Sequence, residues 1–318
     1  MKIIFLNIIL FLSFSISNQR IDFISANPFS FNDIITNLQD QESQNVYGNL
    51  KFPDNYDSNK KYPLVIGVAG SLDWTPHNFE YLEMYRKLGI ATFELNSFQS
   101  RGIQTTVGSQ TEVTVAMIIL DVYKAFEELA NHPNIDKDKV GLTGWSLGGV
   151  VTLYSAWKPL KDAIGTDLKF ASRLAFYPLC IAIPNKIDFE DTPTHILIGE
   201  IDDWTPADAC IEYQKIMNDN GYDFNITVYE NSHHGFDSDV ELTSIENAYS
   251  FNDCRLKIKD NGIVTTKRLG FPLTNPTFQV IALAFCADRG ATLGKNPVTR
   301  EKAFLFSEQF ISKHLLSK

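Results

Sequence analysis

The chain has 318 residues, of which 44% are hydrophobic, so it is long enough to bury one large core, and we expect a single α/β domain. Its formal net charge of −10 argues against nucleic acid or an anionic membrane surface as a partner.

The chain begins with a segment typical of a secretory signal. Met1 and Lys2 precede an apolar run over residues 3–16. Spanning a bilayer takes about 20 apolar residues, so export and cleavage are favoured over an uncleaved anchor. Cleavage is expected after residue 17 or near residue 26. We therefore assign 1–26 to a signal peptide and 27–318 to one domain, secreted or periplasmic, with no stable membrane insertion after cleavage.

The first half of the predicted domain reads as alternating strands and helices after a polar lead-in over 27–45. Alternation over 46–52 predicts an edge strand, and the apolar run 64–68 predicts a strand buried on both faces. The remaining elements predicted here are a helix over 78–88, a strand over 90–95 and a helix over 111–130.

Arg101 lies in the loop 96–102 that follows the strand 90–95. Loops at the carboxyl end of a parallel strand face the ligand crevice, which makes Arg101 a candidate substrate contact. The alternative is a structural arginine that ties this loop to backbone carbonyls.

The most informative stretch is a short apolar strand that runs into Gly144-Trp145-Ser146-Leu147-Gly148 and then into a predicted helix. A serine on so tight a strand-to-helix turn has the form of a nucleophile elbow, in which the glycines avoid collisions with neighbouring backbone. The Leu147 N–H would then face a developing acyl oxyanion, and the Ser71 N–H, after the strand 64–68, is the candidate second donor. An ordinary strand-to-helix turn at Ser71 is the alternative.

An acid and a histidine follow two later buried strands, in the chain order that a serine nucleophile on this kind of sheet requires. Strands are predicted over 174–177, 194–199 and 225–229, with a helix over 208–217. Asp202 and Asp203 follow the second strand, and His233 and His234 follow the third. A serine, an acid and a histidine on successive strand ends predict a catalytic triad.

The C-terminal part does not continue this alternation of strands and helices. Alternation over 255–259 and 263–267 around Asn261-Gly262 predicts a hairpin within an excursion over 251–268. A last helix is predicted over 299–316. Because strands and helices alternate elsewhere, we expect a mostly parallel central sheet with helices on both faces.

Export would make the four cysteines candidates for two disulfides. The count alone allows three pairings. We predict Cys180–Cys210, because the two follow successive strands, and Cys254–Cys286, because these flank the C-terminal excursion. Four buried free thiols are the alternative if the chain is not exported.

These motifs together resemble the dienelactone hydrolase family of α/β-hydrolases, in particular its exported bacterial members. The resemblance covers the chain from about Val46 onward and rests on the segments 96–102, 144–149, 199–206 and 233–237. In the family the acid stands three residues after a glycine, here Gly199, and four before a proline, here Pro206. The family histidine stands two residues before a phenylalanine, here Phe236. The resemblance therefore implies Asp202 and His234 as the triad partners of Ser146.

The chain departs from dienelactone hydrolase itself, which has a cysteine nucleophile. Here the nucleophile position is Ser146, and no arginine follows His234 closely enough to bind a substrate carboxylate. The elbow is also similar to that of bacterial polyester hydrolases, whose tryptophan lines the substrate site. Trp145 and Trp204 are accordingly candidate substrate contacts, with buried packing as the alternative.

The sequence thus predicts a serine hydrolase that cleaves small-molecule carboxylic esters through an acyl-enzyme, with no metal or organic cofactor. A peptidase on the same fold is one alternative, although such peptidases often carry an extra domain. A non-catalytic binding module is another, since fold does not fix function.

Overall fold

The computed structural model describes residues 18–317, so the predicted n-region and apolar run of the signal lie outside the described residues. The strands are β1 Asn18–Ala26, β2 Ser43–Lys51, β3 Tyr62–Val68, β4 Ala91–Leu95, β5 Ile135–Trp145, β6 Ser172–Phe176, β7 Ala182–Pro184, β8 Thr194–Gly199, β9 Phe224–Tyr229, β10 Thr243–Ser250, β11 Leu256–Ile258, β12 Val264–Thr266 and β13 Asp288–Leu293. The α-helices are α1 Phe31–Asn37, α2 Pro76–Lys87, α3 Val115–Ala130, α4 Leu147–Tyr154, α5 Lys158–Ile164, α6 Ala207–Asp219, α7 Pro276–Leu283 and α8 Pro297–Leu315.

Eight strands form the central sheet in the order β1-β2-β4-β3-β5-β6-β8-β9. β1, β2 and β4 pair antiparallel, and every pairing from β4 to β9 is parallel. The predicted α/β-hydrolase fold, a mostly parallel sheet with helices on both faces, is confirmed. The carboxyl ends of β3, β5, β6, β8 and β9 consequently share one edge, where loops from distant parts of the chain meet.

The strands at the centre of this sheet are apolar because helices cover both of their faces. In β3 and β5 the residues Leu64, Ile66, Val140 and Leu142 have no measurable exposure. The helices α3 and α4 pack against each other and against β5. Such burial on both faces explains why these strands are continuous apolar runs rather than alternating ones.

The N-terminal segment is more ordered than the sequence predicts. β1 pairs with β2 along its whole length, which makes β1 the edge strand and corrects the prediction of an edge at 46–52. A signal that ended at residue 26 would remove this strand, whereas one that ended after 17 would leave it whole. The polar lead-in 27–45 contains α1, whose first turn is closed by a Ser30 N–H to Asp33 Oδ2 bond of 2.8 Å and which buries Phe31 and Ile34. Only these two residues of the short helix are buried, and they give too weak a periodicity in a polar stretch to predict it.

Capping residues set helix ends that the periodicity misplaced. Helix α3 begins at Val115 rather than at 111, because the Thr114 side chain accepts a 3.3 Å bond from the Met117 N–H. Helix α8 begins at Pro297, after the Asn296 cap.

The C-terminal excursion is larger than predicted. The hairpin is confirmed as β11 and β12, and β11 also pairs parallel with β7. Around the hairpin lie three elements that the sequence analysis did not predict: α7, and the antiparallel pair β10 and β13. Among residues 18–317 we find no helix with the length and apolar character needed to cross a bilayer.

The two disulfides are those predicted. Cys180 and Cys210 join the loop after β6 to α6, with their Cα atoms 4.9 Å apart. Cys254 and Cys286 have Cα atoms 4.6 Å apart and close the loop that contains β11, β12 and α7. The second bridge therefore holds the added C-terminal elements together.

Candidate active site

Ser146 occupies a strained turn between β5 and α4. Its φ of 53° and ψ of −112° lie outside the regions that L residues ordinarily adopt. A Cβ on Gly144 would overlap the carbonyl of Gly148, and a Cβ on Gly148 would overlap the carbonyl of Val68. The Ser146 N–H donates to Phe176 O at 2.9 Å. The glycines of the motif are thus required by close backbone approach, and the turn holds Ser146 at the carboxyl edge of the sheet.

His234 and Asp202 complete a hydrogen-bonded chain with this serine. His234 Nε2 lies 2.9 Å from Ser146 Oγ, and its Nδ1 lies 2.8 Å from Asp202 Oδ2. The other Asp202 oxygen accepts the backbone N–H groups of Trp204 and Thr205 at 2.9 and 2.8 Å. Asp202 and His234 are both buried. The carboxylate can therefore fix the imidazole so that Nε2 is available to take a proton from the serine.

The adjacent residues of the same types point elsewhere. Asp203 Oδ1 accepts from the Thr292 N–H at 2.7 Å and from its hydroxyl at 2.9 Å. His233 Nδ1 lies 2.9 Å from the same hydroxyl. Asp203 and His233 thus hold β13, while Asp202 and His234 reach the serine, as the family resemblance implied.

Two residues that the sequence analysis did not select support this arrangement. Thr205 Oγ1 lies 2.9 Å from Asp202 Oδ2, 3.1 Å from His234 Nδ1 and 3.1 Å from Tyr177 O. The Tyr177 ring packs edge-on against the His234 ring with centroids 4.6 Å apart, and its hydroxyl donates to Asp237 at 3.0 Å. Burial raises the pKa of Tyr177 well above its ordinary value, so it stays a neutral donor. Its position directly after β6 was an available signal, since its strand ends at the same edge.

The predicted oxyanion donors both lie next to the serine. Leu147 is the first residue of α4, where backbone N–H groups lack helical partners. Gly70, immediately before Ser71, lies so close that a Cβ there would be 3.3 Å from Ser146 Cβ. The Ser71 carbonyl accepts from the Thr106 N–H at 3.0 Å, which fixes its loop. The arrangement brings two loop segments around the space above Ser146, as an oxyanion site requires.

The three candidate substrate contacts have different surroundings. Trp204 is buried, lines the space on both sides of Ser146, and has its ring centroid 4.9 Å from that of His234. Trp145 is 1% exposed and packs against Phe176 and Trp74, so its role is mainly structural, although it borders one cavity.

Of the two interpretations of Arg101, the contacts support the structural one. Its guanidinium forms a bidentate pair with Asp121 at 2.7 and 3.1 Å and also donates to Asn27 at 2.8 Å. The side chain is 6% exposed and borders neither cavity at Ser146. The structural alternative therefore holds: Arg101 ties the end of β1 and its own loop to α3.

A buried polar cluster adjoins the site, and its Tyr177 and His77 border one of the cavities at Ser146. The hydroxyl of Tyr177 is 3.2 Å from His77 Nε2, and His77 Nε2 is 3.8 Å from the fully buried carboxylate of Asp237. Burial lowers the pKa of His77, which favours its neutral form. The cluster therefore supports the floor of the site through Tyr177, which the His234 ring contacts.

Comparisons with known proteins agree with this architecture. The sequence model of the dienelactone hydrolase family matches residues 83–256, more than half of the chain. A search of the curated proteins gives no match.

Solved structures resemble the chain in fold. One named m3DLH aligns with a TM-score of 0.56 and 13% identity over 94% of this chain and 99% of its own. A dienelactone hydrolase-like promiscuous phosphotriesterase from metagenomic libraries aligns with a TM-score of 0.50 and 13% identity over 70% and 85%. A thermophilic esterase of the planctomycete Thermogutta terrifontis aligns with a TM-score of 0.48 and 15% identity over 67% and 84%. At such identities the likeness of the first two concerns the fold.

Proposed function

Since the chain belongs to the dienelactone hydrolase family and is a hydrolase, we propose that it is a serine esterase that cleaves small carboxylic esters through an acyl-enzyme. The observation that carries the proposal is the continuous chain from Asp202 through His234 to Ser146, with bonds of 2.8 and 2.9 Å at a strained elbow. A binding module would have no need of these hydrogen bonds. The strained backbone at Ser146 also lowers stability, a cost that a binding module would have no reason to keep.

In the proposed reaction, Ser146 Oγ attacks the ester carbonyl carbon while its proton passes to His234 Nε2. The N–H groups of Leu147 and Ser71 stabilise the oxyanion of the tetrahedral intermediate. Asp202 stabilises the imidazolium without taking its proton. The carbon–oxygen bond to the alcohol then breaks as His234 returns the proton to the leaving oxygen. A water molecule, deprotonated by His234, hydrolyses the acyl-enzyme and restores Ser146.

Neutral esters are the proposed substrates, in preference to the anionic lactones for which the family is named. The one arginine that the sequence offered as a carboxylate contact, Arg101, is paired with Asp121 away from Ser146. Among the described residues that border the two cavities at Ser146, none is a lysine or arginine that could pair with a carboxylate.

Export to an oxidising compartment is part of the same proposal. Two disulfides support it, because such bonds are rare in reducing compartments. The apolar leader would direct this export, with cleavage after residue 17 so that β1 is kept.

The experiment is a comparison of kcat/KM for p-nitrophenyl butyrate and for a carboxylate-bearing dienelactone, with a short peptide anilide as a third substrate. We expect the butyrate ester to be the best of the three. Preferential cleavage of the lactone would contradict the substrate proposal, preferential cleavage of the anilide would favour a peptidase, and no turnover of any would favour a binding module.

A further inference from the structure

Ser146 lies where two cavities meet. One has a volume of about 180 Å³ and the other about 260 Å³, and both are bordered by Ser71, Ser146 and Trp204. An ester bound at the serine would therefore extend into both cavities, with its carbonyl at their junction. Each half of the ester then has its own surroundings, and these can be compared.

His234 distinguishes the two cavities. It borders the larger cavity and not the smaller one, whereas Leu147 borders only the smaller. The leaving alcohol must lie near His234 Nε2, from which it takes a proton. The alcohol part accordingly occupies the larger cavity and the acyl part the smaller one.

The smaller cavity is lined by aromatic and aliphatic side chains, including Phe31, Tyr154, Phe251, Leu273 and Leu283. Among the described residues that line it, none is charged. A carboxylate or ammonium group placed there would lose its hydration without gaining a partner, which is costly. The acyl group that fits this cavity is therefore uncharged and apolar.

The larger cavity differs in charge. Asp73 and Asp239 border it, and its described lining has no lysine or arginine. This side accepts a neutral alcohol and opposes an anionic one.

Part of the wall of the acyl cavity comes from segments outside the family match, which covers residues 83–256. Phe31 belongs to α1, before the match, while Leu273 and Leu283 belong to the excursion after it. The Cys254–Cys286 bond closes that excursion. The segments that flank the family core thus complete a pocket whose remaining wall, and the nucleophile itself, come from the core.

Resting on the proposed esterase function, we propose that this smaller cavity is an acyl pocket, completed by α1 and the disulfide-closed excursion, that selects uncharged acyl groups of about six carbons. An apolar cavity of about 150 Å³ in another protein holds a benzene molecule, and 180 Å³ is similar. Up to the length that fills the pocket, each added methylene raises kcat/KM roughly fourfold.

The test is the dependence of kcat/KM on acyl length, measured with p-nitrophenyl esters from acetate to dodecanoate. Leu283→Ala enlarges the pocket and Leu283→Trp fills it, because Leu283 is 4% exposed and borders the cavity. Val280→Ala is the matched control, since Val280 lies in the same helix but is 46% exposed.

We expect a wild-type maximum near hexanoate, a maximum at longer chains in Leu283→Ala, and no change in the control. In Leu283→Trp the hexanoate ester should lose at least tenfold relative to acetate. If the tryptophan variant does not fold, the alanine variant alone decides the question. If the wild type cleaves esters but no folded Leu283 variant changes the dependence of kcat/KM on acyl length, the acyl-pocket inference is overturned and the proposed esterase function is not. A folded wild type that turns over no ester would overturn the proposed function, and this inference with it.

Discussion

One member of each adjacent pair, Asp202–Asp203 and His233–His234, contacts the candidate active site, and the other contacts the C-terminal excursion. Asp202 and His234 join Ser146 at the edge of the central sheet, while Asp203 and His233 both bond to Thr292 in β13. Residues of identical chemistry, one position apart, thus form the hydrogen-bonded chain with Ser146 on one side and attach the C-terminal excursion on the other. Chemical type at a strand end is insufficient to assign a role; the direction of each side chain decides it.

The largest effect is expected at the histidines. His234→Ala removes the general base, so kcat should fall about 10⁴-fold or more. His233→Ala, the matched control, loses only a bond to Thr292 and should keep a substantial fraction of the activity. Steady-state kinetics with circular dichroism to verify folding decide the comparison, and equal losses in two folded variants would mean that the base is misassigned.

The acids should show the same contrast. Asp202→Asn keeps the shape of the side chain but no longer holds the imidazole in the required tautomer, and such a change costs about 10⁴-fold in kcat in a serine protease. Asp203→Asn keeps an oxygen that can accept from Thr292 and should alter kcat by less than tenfold. A larger loss in Asp203→Asn than in Asp202→Asn would reverse the assignment of the two regions.

A third contrast concerns a buried charge that serves the fold. Arg101→Ala leaves Asp121 buried without its partner, and we expect a loss of about 3–5 kcal/mol in the free energy of unfolding. Denaturant titration measures this loss. The ratio of kcat/KM for neutral and anionic esters should stay the same in the folded variant. A selective loss of kcat/KM for anionic esters would instead indicate that Arg101 contacts the substrate.

The smallest of the four effects is expected in the excursion. Replacing Cys254 and Cys286 with serine should lower the free energy of unfolding by about 2–4 kcal/mol, with the Cys180–Cys210 bond kept as an internal control. The triad lies on the central sheet, so short acetate esters should still be cleaved. Peptide mapping without reduction checks both bonds, and four free thiols in the native protein would contradict the pairing.

Most of the central sheet, and the meeting of Ser146, Asp202 and His234 at its edge, could be predicted because their signals are local. A buried parallel strand is a continuous apolar run, and the groups that matter follow directly after such runs, as Ser146, Asp202 and His234 do. Arg101 has the same local signal, but the sequence left its role open because Asp121 and Asn27, which bind it, are distant in sequence.

The pairing of β10 with β13 could not be predicted because it is also a long-range contact: most of the excursion lies between the two strands. Helix α1 was missed because only two of its residues are buried in a polar stretch. Helices α1 and α7, which the sequence did not predict, complete the wall of the acyl cavity, so the sequence located Ser146 but not the pocket beside it.

The central claim is that Ser146 is a nucleophile activated by His234. Labelling of the folded protein with a fluorophosphonate, followed by peptide mass spectrometry, tests it most directly, because the reagent forms a stable adduct with an activated serine. We expect one adduct, on Ser146, that is absent in Ser146→Ala, strongly slowed in His234→Ala and unchanged in His233→Ala. The absence of any adduct, or an adduct on another serine that persists in Ser146→Ala, would contradict the account.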